Sequence, residues 1–229
     1  MLNDSDLRKV FDSPLLQGGY VECDHPVQAA ALPDAALEFL VALARQCGVA
    51  SVFEFGSGRS TAALLREGFR VTSLEDSGQW MEQTHAQLSD DEKSRHVALV
   101  RPLSRRMHGW FPVMDWPVDP ELACCIGEAD LILVDSPYYA PFRESTLWSA
   151  LAHNGHGIVV LDDTRIPTLS RFCDRLAAGN PTMLHRRVKV GHTFDVYART
   201  DKVPLTRSQP LLDILKGWRR FFMAMQQQG

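Results

Sequence analysis

Three aspartates close two apolar runs: Asp135 ends "ADLILVD" (129–135), and Asp162-Asp163 end "GIVVLDD" (157–163). Runs of this kind read as buried strands, and the 27 positions between Asp135 and Asp162 suit a right-handed crossover back to the same sheet edge. Carboxylates gathered there need a cation, and hard oxygen donors suit Mg2+ or another octahedral divalent ion. The alternative is that Asp163 caps the helix starting near Ile166, or pairs with Arg165, and binds no metal. A second group lies upstream in "FEFGSGRST" (53–61), where Gly56 and Gly58 separate an apolar run from a helical pattern. Glycine lets the backbone approach a ligand closely, and the helix start offers free N–H groups to it. Ser60 or Thr61 stands where a side chain caps that helix. Glu75-Asp76 end the next apolar run, with Glu75 lying 19 positions after Gly56. An acid at that spacing is the usual acceptor for a ribose hydroxyl pair; the alternative is a solvated surface carboxylate. A dinucleotide loop of the G-x-G-x-x-G type would place a third glycine where this chain has Thr61.

These residues need a scaffold that brings strand ends together, and the hydrophobic pattern supplies one. A helix is predicted from Pro33 to the stop at Gly48, with Ala36, Leu37, Leu40, Val41, Leu43 and Ala44 at helical intervals. Strand "SVFEF" (51–55), helix 60–68, strand "RVTSLE" (70–75), helix 79–88 and strand "HVALVR" (96–101) follow. Residues 102–128, rich in Trp and Pro, read as irregular with at most short helices. Strand 129–135, a helix over 143–153, strand 157–163 and a helix over 166–178 come next. Two strands near 183–190 and 192–199, joined at Gly191, close the domain. Strands without polar alternation, separated by helices, indicate a parallel sheet covered on both faces. The expected fold is α/β: a Rossmann-like, doubly wound, mostly parallel seven-stranded sheet with an antiparallel C-terminal hairpin. The domain spans 33–200. An N-terminal cap segment (1–32) precedes it, and an amphipathic helix (201–229) follows.

Composition narrows the class. The 229 residues carry a net charge of −4 and no long basic run, so nucleic acid is not an expected partner. Five cysteines (Cys23, Cys47, Cys124, Cys125 and Cys173) without C-x-x-C spacing argue against a disulfide framework or a zinc site. The start, "MLNDSDLRKVF", lacks the apolar core of a signal peptide, and no apolar run is long enough for a membrane span. A cytoplasmic protein is the expectation.

The motifs resemble those of the class I S-adenosylmethionine (SAM)-dependent methyltransferases across residues 33 to 200. "FEFGSGRST" resembles their first motif, so the resemblance implies that Glu54, Gly56, Ser57, Gly58, Ser60 and Thr61 meet the cofactor. "VTSLED" resembles the second, with Glu75 matching the ribose-binding acid and Asp76 beside it. Asp135, Asp162 and Asp163 match positions that hold Mg2+ in small-molecule O-methyltransferases of the catechol and macrocin types, where the ion binds the substrate hydroxyl. Asp135 also borders the cofactor there. "RESTLWSAL" (143–151) is similar to a helix segment of the macrocin group. The chain departs from both types: Tyr138 stands where the catechol type has a lysine base, and Asp135-Ser136-Pro137 replaces the macrocin D-G-D.

The implied activity is SAM-dependent methylation of a hydroxyl on a small-molecule or glycan acceptor, with Asp135, Tyr138 and Arg165 as candidate catalytic groups. His156 is a further candidate for proton removal or substrate positioning. Trp110, Phe111, Trp116 and Tyr138 either wall the acceptor pocket or fill core, and Trp80 either flanks adenine or packs inward. The C-terminal stripe of Leu211, Leu212, Leu215, Trp218, Phe222 and Met225 fits docking on the domain itself, a homodimer contact, or a substrate lid. Two other functions share this architecture. A nucleotide-binding oxidoreductase is opposed by Thr61 and by the terminal hairpin. A non-catalytic binding or assembly module is opposed by the presence of Gly56, Gly58 and Glu75 together.

Overall fold

The computed structural model describes residues 3–17, 32–108, 111–137, 142–199 and 205. The nine strands are β1 (Ser51–Phe55), β2 (Arg70–Glu75), β3 (His96–Val100), β4 (Ser104–His108), β5 (Phe111–Asp115), β6 (Leu131–Val134), β7 (Ile158–Leu161), β8 (Met183–Lys189) and β9 (Thr193–Arg199). Seven of them form one sheet in the order β3-β2-β1-β6-β7-β9-β8, in which only β9 runs against the rest. The expected doubly wound sheet with a C-terminal hairpin is therefore present. Its winding reverses between β1 and β6, and the crevice above such a reversal is where open α/β sheets bind ligands.

Both faces of the sheet are buried, and the side chains obey the two-residue period of a strand. Val52, Leu131, Leu133, Ile158, Val160, Phe194 and Val196 belong to one apolar cluster, while Phe53, Phe55, Ile132, Val134, Val159, Leu161 and Tyr197 belong to the other. Helices α1 (Asp4–Phe11), α2 (Pro14–Gln17), α3 (Asp34–Gln46) and α4 (Arg59–Arg66) supply the first cluster. Helices α5 (Gly78–Ala86) and α6 (Asp90–Ser94) follow β2 and lead into β3. The second cluster is covered by α7 (Pro120–Glu128), α8 (Arg143–His153) and α9 (Pro167–Gly179). Helix α3 ends as its sequence predicts, with Gly48 at φ +62°.

Two stretches differ from expectation. The described residues of 102–128 form regular elements: β4 and β5 pair antiparallel, and α7 follows with Asp119 as its N-cap and Pro120 in its first turn. Trp116 is fully buried against Phe55 and donates its indole N–H to the Arg101 carbonyl, so this ring is core and walls no pocket. The N-terminal segment contains two helices in its described part. Cys47 and Cys173 are buried free thiols, Cys124 is an exposed one and Cys125 is partly buried. Among the described residues no helix is long and apolar enough to cross a membrane. Cys23, Trp110, Tyr138 and the C-terminal stripe lie outside the described residues.

One buried amide ties the far end of the sheet together. Asn154, 2% exposed, donates to the carbonyls of Ile126 (2.9 Å) and Ala129 (2.8 Å) and accepts from the Gly157 N–H (2.6 Å). Removing it leaves buried polar groups unpaired, at about 1–3 kcal/mol each. Asn154→Ala should lower unfolding stability by about 3 kcal/mol, read as a lower urea midpoint with an unchanged slope.

Candidate active site

The glycine loop after β1 is fixed from beneath. Gly56 adopts φ +105°, where a side chain is strained, and a Cβ there would press on Ser136 Cβ at 3.2 Å. Thr61 is fully buried; its hydroxyl accepts from the Gly58 N–H (2.9 Å) and donates to Glu54 Oε2 (2.7 Å). The Ser73 hydroxyl donates to the same oxygen (3.1 Å), which leaves His96 Nε2, 3.1 Å from Ser73 Oγ, as the donor to that serine. A polar chain thus runs from β3 through β2 and β1 to the loop. Burial raises the Glu54 pKa, against the pull of Thr61, Ser60 and Ser73. Burial, helped by nearby His85, lowers that of His96 to about 4. Thr61 stands in place of a third glycine because its hydroxyl is the link between loop and strand.

From the other side the loop is held by Glu75. One carboxylate oxygen accepts from the Ser57 N–H (3.0 Å) and hydroxyl (3.2 Å), the other from the N–H groups of Asp76 (3.0 Å) and Ser77 (3.3 Å). Trp80, 45% exposed, is not core: its indole N–H donates to the Ser57 carbonyl (2.6 Å) and its ring lies beside Gly58. Between this loop, helix α5 and Asp135 opens a cleft of about 570 Å³, its mouth included, lined among others by Ser57, Gly58, Ser60, Trp80 and Thr84. Of the predicted cofactor residues, Ser57, Gly58, Ser60 and Asp135 line the cleft. Glu54 and Thr61 support the loop from below, Glu75 ties it to β2, and Asp76 is exposed.

At the inner end of the cleft the three aspartates converge, and a guanidinium stands among them. Arg143, at the start of α8 and only 5% exposed, places Nη2 3.1 Å from Asp135 Oδ1 and Nη1 3.0 Å from Asp163 Oδ2 and 3.7 Å from Asp162 Oδ2. Its Nε–H donates to the Pro137 carbonyl (3.1 Å). His192 joins from the β8–β9 turn, with Nδ1 2.7 Å from Asp162 Oδ1. Arg165 Nε is 3.8 Å from Asp163, whose backbone takes the left-handed conformation at φ +61°. That conformation is costly for a non-glycine residue and persists only where the surroundings impose it. Burial raises the Asp135 pKa well above its ordinary value; Arg143 opposes this, and Asp162 and Asp163 reinforce it. Burial would raise that of Asp162 too, but the His192 hydrogen bond and the Arg143 charge bring it below the ordinary value. For His192, burial is outweighed by the bond to Asp162, and the pKa is raised.

This arrangement does not fit the expected Mg2+. An ion at about 2.1 Å from the carboxylate oxygens would stand within about 5 Å of a guanidinium nitrogen, a repulsion of roughly 7–10 kcal/mol at an effective dielectric near 20. Asp162, Asp163 and His192 bring ligand-type atoms within 4.8 Å of one another. Within that group His192 Nδ1 is already bonded to Asp162, and Asp163 to Arg143. Arg143 opens the "RESTLWSAL" segment, whose resemblance assigned it no role, and His192 carries no motif of its own. His192 was nonetheless implicit in the topology: β9 pairs Asp195 with Leu161, so the residue just before β9 must lie beside the aspartates after β7. His156 precedes β7 and lies at the opposite end of the sheet from the cleft.

No family model matches this sequence, and no curated protein sequence matches it. Its fold is shared with solved methyltransferases. One is the O-methyltransferase TomG from Streptomyces achromogenes, involved in tomaymycin synthesis and solved with SAM, at 16% identity and TM-score 0.55 over 87% of this chain and 92% of that one. Another is the O-methyltransferase from Bacillus cereus in complex with SAH, at 16% identity and TM-score 0.54 over 87% and 93%. A third is the SAH-bound methyltransferase PaMTH1 from Podospora anserina, at 15% identity and TM-score 0.56 over 88% and 98%. The chain therefore has the class I methyltransferase fold.

The Asp162–His192 pair makes stability depend on pH. A raised histidine pKa contributes stability that is fully present below about 6.5, the unfolded value, and fades as pH rises through the folded value. The lowered Asp162 pKa contributes above about 3.9 and fades as pH falls through its folded value. The stability difference between wild type and His192→Gln, measured by urea unfolding across pH, should therefore be largest between about pH 4 and 6.5 and shrink above that window.

Proposed function

We propose that this chain is a SAM-dependent methyltransferase acting on a hydroxyl of a small-molecule or sugar-like acceptor. The observation that carries the reading is the cleft itself: a glycine loop, held from behind by Glu75, and a tryptophan border it on one side, and Asp135 opens its other side onto an ionic cluster. The SAM- or SAH-bound neighbours that share the fold support it.

In this reading the loop N–H groups and the start of α4 receive the methionine part of the cofactor, the positive end of a helix favouring its carboxylate. Glu75 takes the ribose and Trp80 flanks the base. SAM supplies an electrophilic methyl carbon. Most of the acceleration then comes from alignment. The hydroxyl proton passes to Asp135, whose raised pKa makes it a stronger proton acceptor than an ordinary carboxylate. Arg165 and Tyr138 are proposed to position the acceptor. A glycan hydroxyl is the principal variant of this substrate class.

Calorimetric titration with SAM tests the reading. Wild type should bind, and Glu75→Ala should weaken binding at least tenfold (~1.4 kcal/mol). Glu75→Gln, which keeps the shape but loses the charge, should fall between the two. Absence of heat with folded wild type overturns the assignment.

A further inference from the structure

We propose that Arg143 is the resident cation of the aspartate cluster, standing in the place of a divalent metal, so that this protein needs no metal and holds a latent metal site beneath the arginine. The geometry carries this directly. Three carboxylates from the ends of β6 and β7 face one guanidinium, with contacts of 3.0, 3.1 and 3.7 Å. A guanidinium has five N–H donors. Nε–H donates to the Pro137 carbonyl and Nη1 to Asp163, while Nη2 lies 3.1 Å from Asp135 and Nη1 3.7 Å from Asp162 as ion pairs. Arg143 therefore acts through the aspartates as a positioning residue that balances their charge.

The side chain is inserted where an ion would otherwise bridge the acids. It is 5% exposed, stands on the first turn of α8, and is tied by Nε to the Pro137 carbonyl. His192 on the outer face of Asp162, and Arg165 near Asp163, add positive character to the same cluster. Positive groups thus approach the acids from three places in the described structure: the start of α8, the segment between β7 and α9, and the β8–β9 turn. The inference rests on this geometry and stands whether or not methyl transfer is the reaction.

The test is a Mn2+ titration of EDTA-treated full-length protein, followed by loss of the free-ion signal in electron paramagnetic resonance, with thermal unfolding in parallel. Wild type should show no site tighter than about 1 mM and no change in Tm with Mn2+. Arg143→Met should unfold at a lower temperature, bind Mn2+ at least tenfold more tightly than wild type, and recover Tm when Mn2+ is added, because a ligand that binds only the folded state stabilises it. Adding Asp162→Asn to that variant should abolish the gain. Arg143→Lys keeps the charge and should gain no Mn2+ site; a merely structural arginine would give the same Mn2+ behaviour in Met and Lys variants. If Arg143→Met does not fold without metal, recovery of the folded state on adding Mn2+ supports the proposal. Stoichiometric Mn2+ binding by wild type, lost in Asp162→Asn, overturns it, as does a folded Arg143→Met that binds no better than wild type.

Discussion

Buried negative charge is the constraint around which the working end of this protein is arranged. A carboxylate removed from water is tolerated only when paired and hydrogen-bonded; at the ends of β6 and β7 Asp162 is fully buried, with the partly buried Asp135 and Asp163 within reach of it. The guanidinium of Arg143 answers that requirement, and much else follows from it. Helix α8 must begin where its first residue reaches both strand ends. The chain after β6 must present the Pro137 carbonyl to Nε. The hairpin β8–β9 must bring His192 against Asp162, which the antiparallel register of β9 on β7 achieves. The single reversed strand of the sheet thus contributes to the site as well as to the core.

The glycine loop solves the opposite problem, that of a backbone stretch with donors to satisfy and no regular partner. It is held by side chains from three adjacent strands. Glu54 and Ser73 are paired across β1 and β2, His96 reaches Ser73 from the start of β3, and Thr61 links Glu54 to Gly58. Such a chain inside the protein is costly if broken, because each member loses a partner in a low-dielectric setting. Rigidity of the loop is therefore a property of the sheet below it.

Much of this was legible in the sequence where a single physical signal dominated. The fully apolar runs at β6 and β7 fixed both strands and the aspartates after them, and helix α8 was readable to its terminal residues, Arg143 and His153. The β4–β5 hairpin was not readable: "SRRMH" and "FPVMD" lack a clean alternation, Pro112 disfavours a strand, and two strands outside the main sheet bury little. Helix α7 did leave a trace, since Asp119-Pro120-Glu121 is an N-cap followed by a first-turn proline. The Trp-rich surroundings obscured it. Arg143 was invisible for another reason. Its role is to neutralise residues 8, 19 and 20 positions away, and a sequence lists charges without saying which of them meet.

Glu75 illustrates how such a site discriminates. Its two oxygens already accept four hydrogen bonds from Ser57, Asp76 and Ser77, close to the full capacity of a carboxylate. Any hydroxyl that binds there enters by exchange, displacing a bond the protein makes to itself. The net gain of each new contact is then small, and a ligand succeeds only by offering a geometry at least as good as the serine it replaces. Selectivity at this carboxylate is thus a competition with an internal substrate mimic, in which a poorly matched molecule simply loses to Ser57.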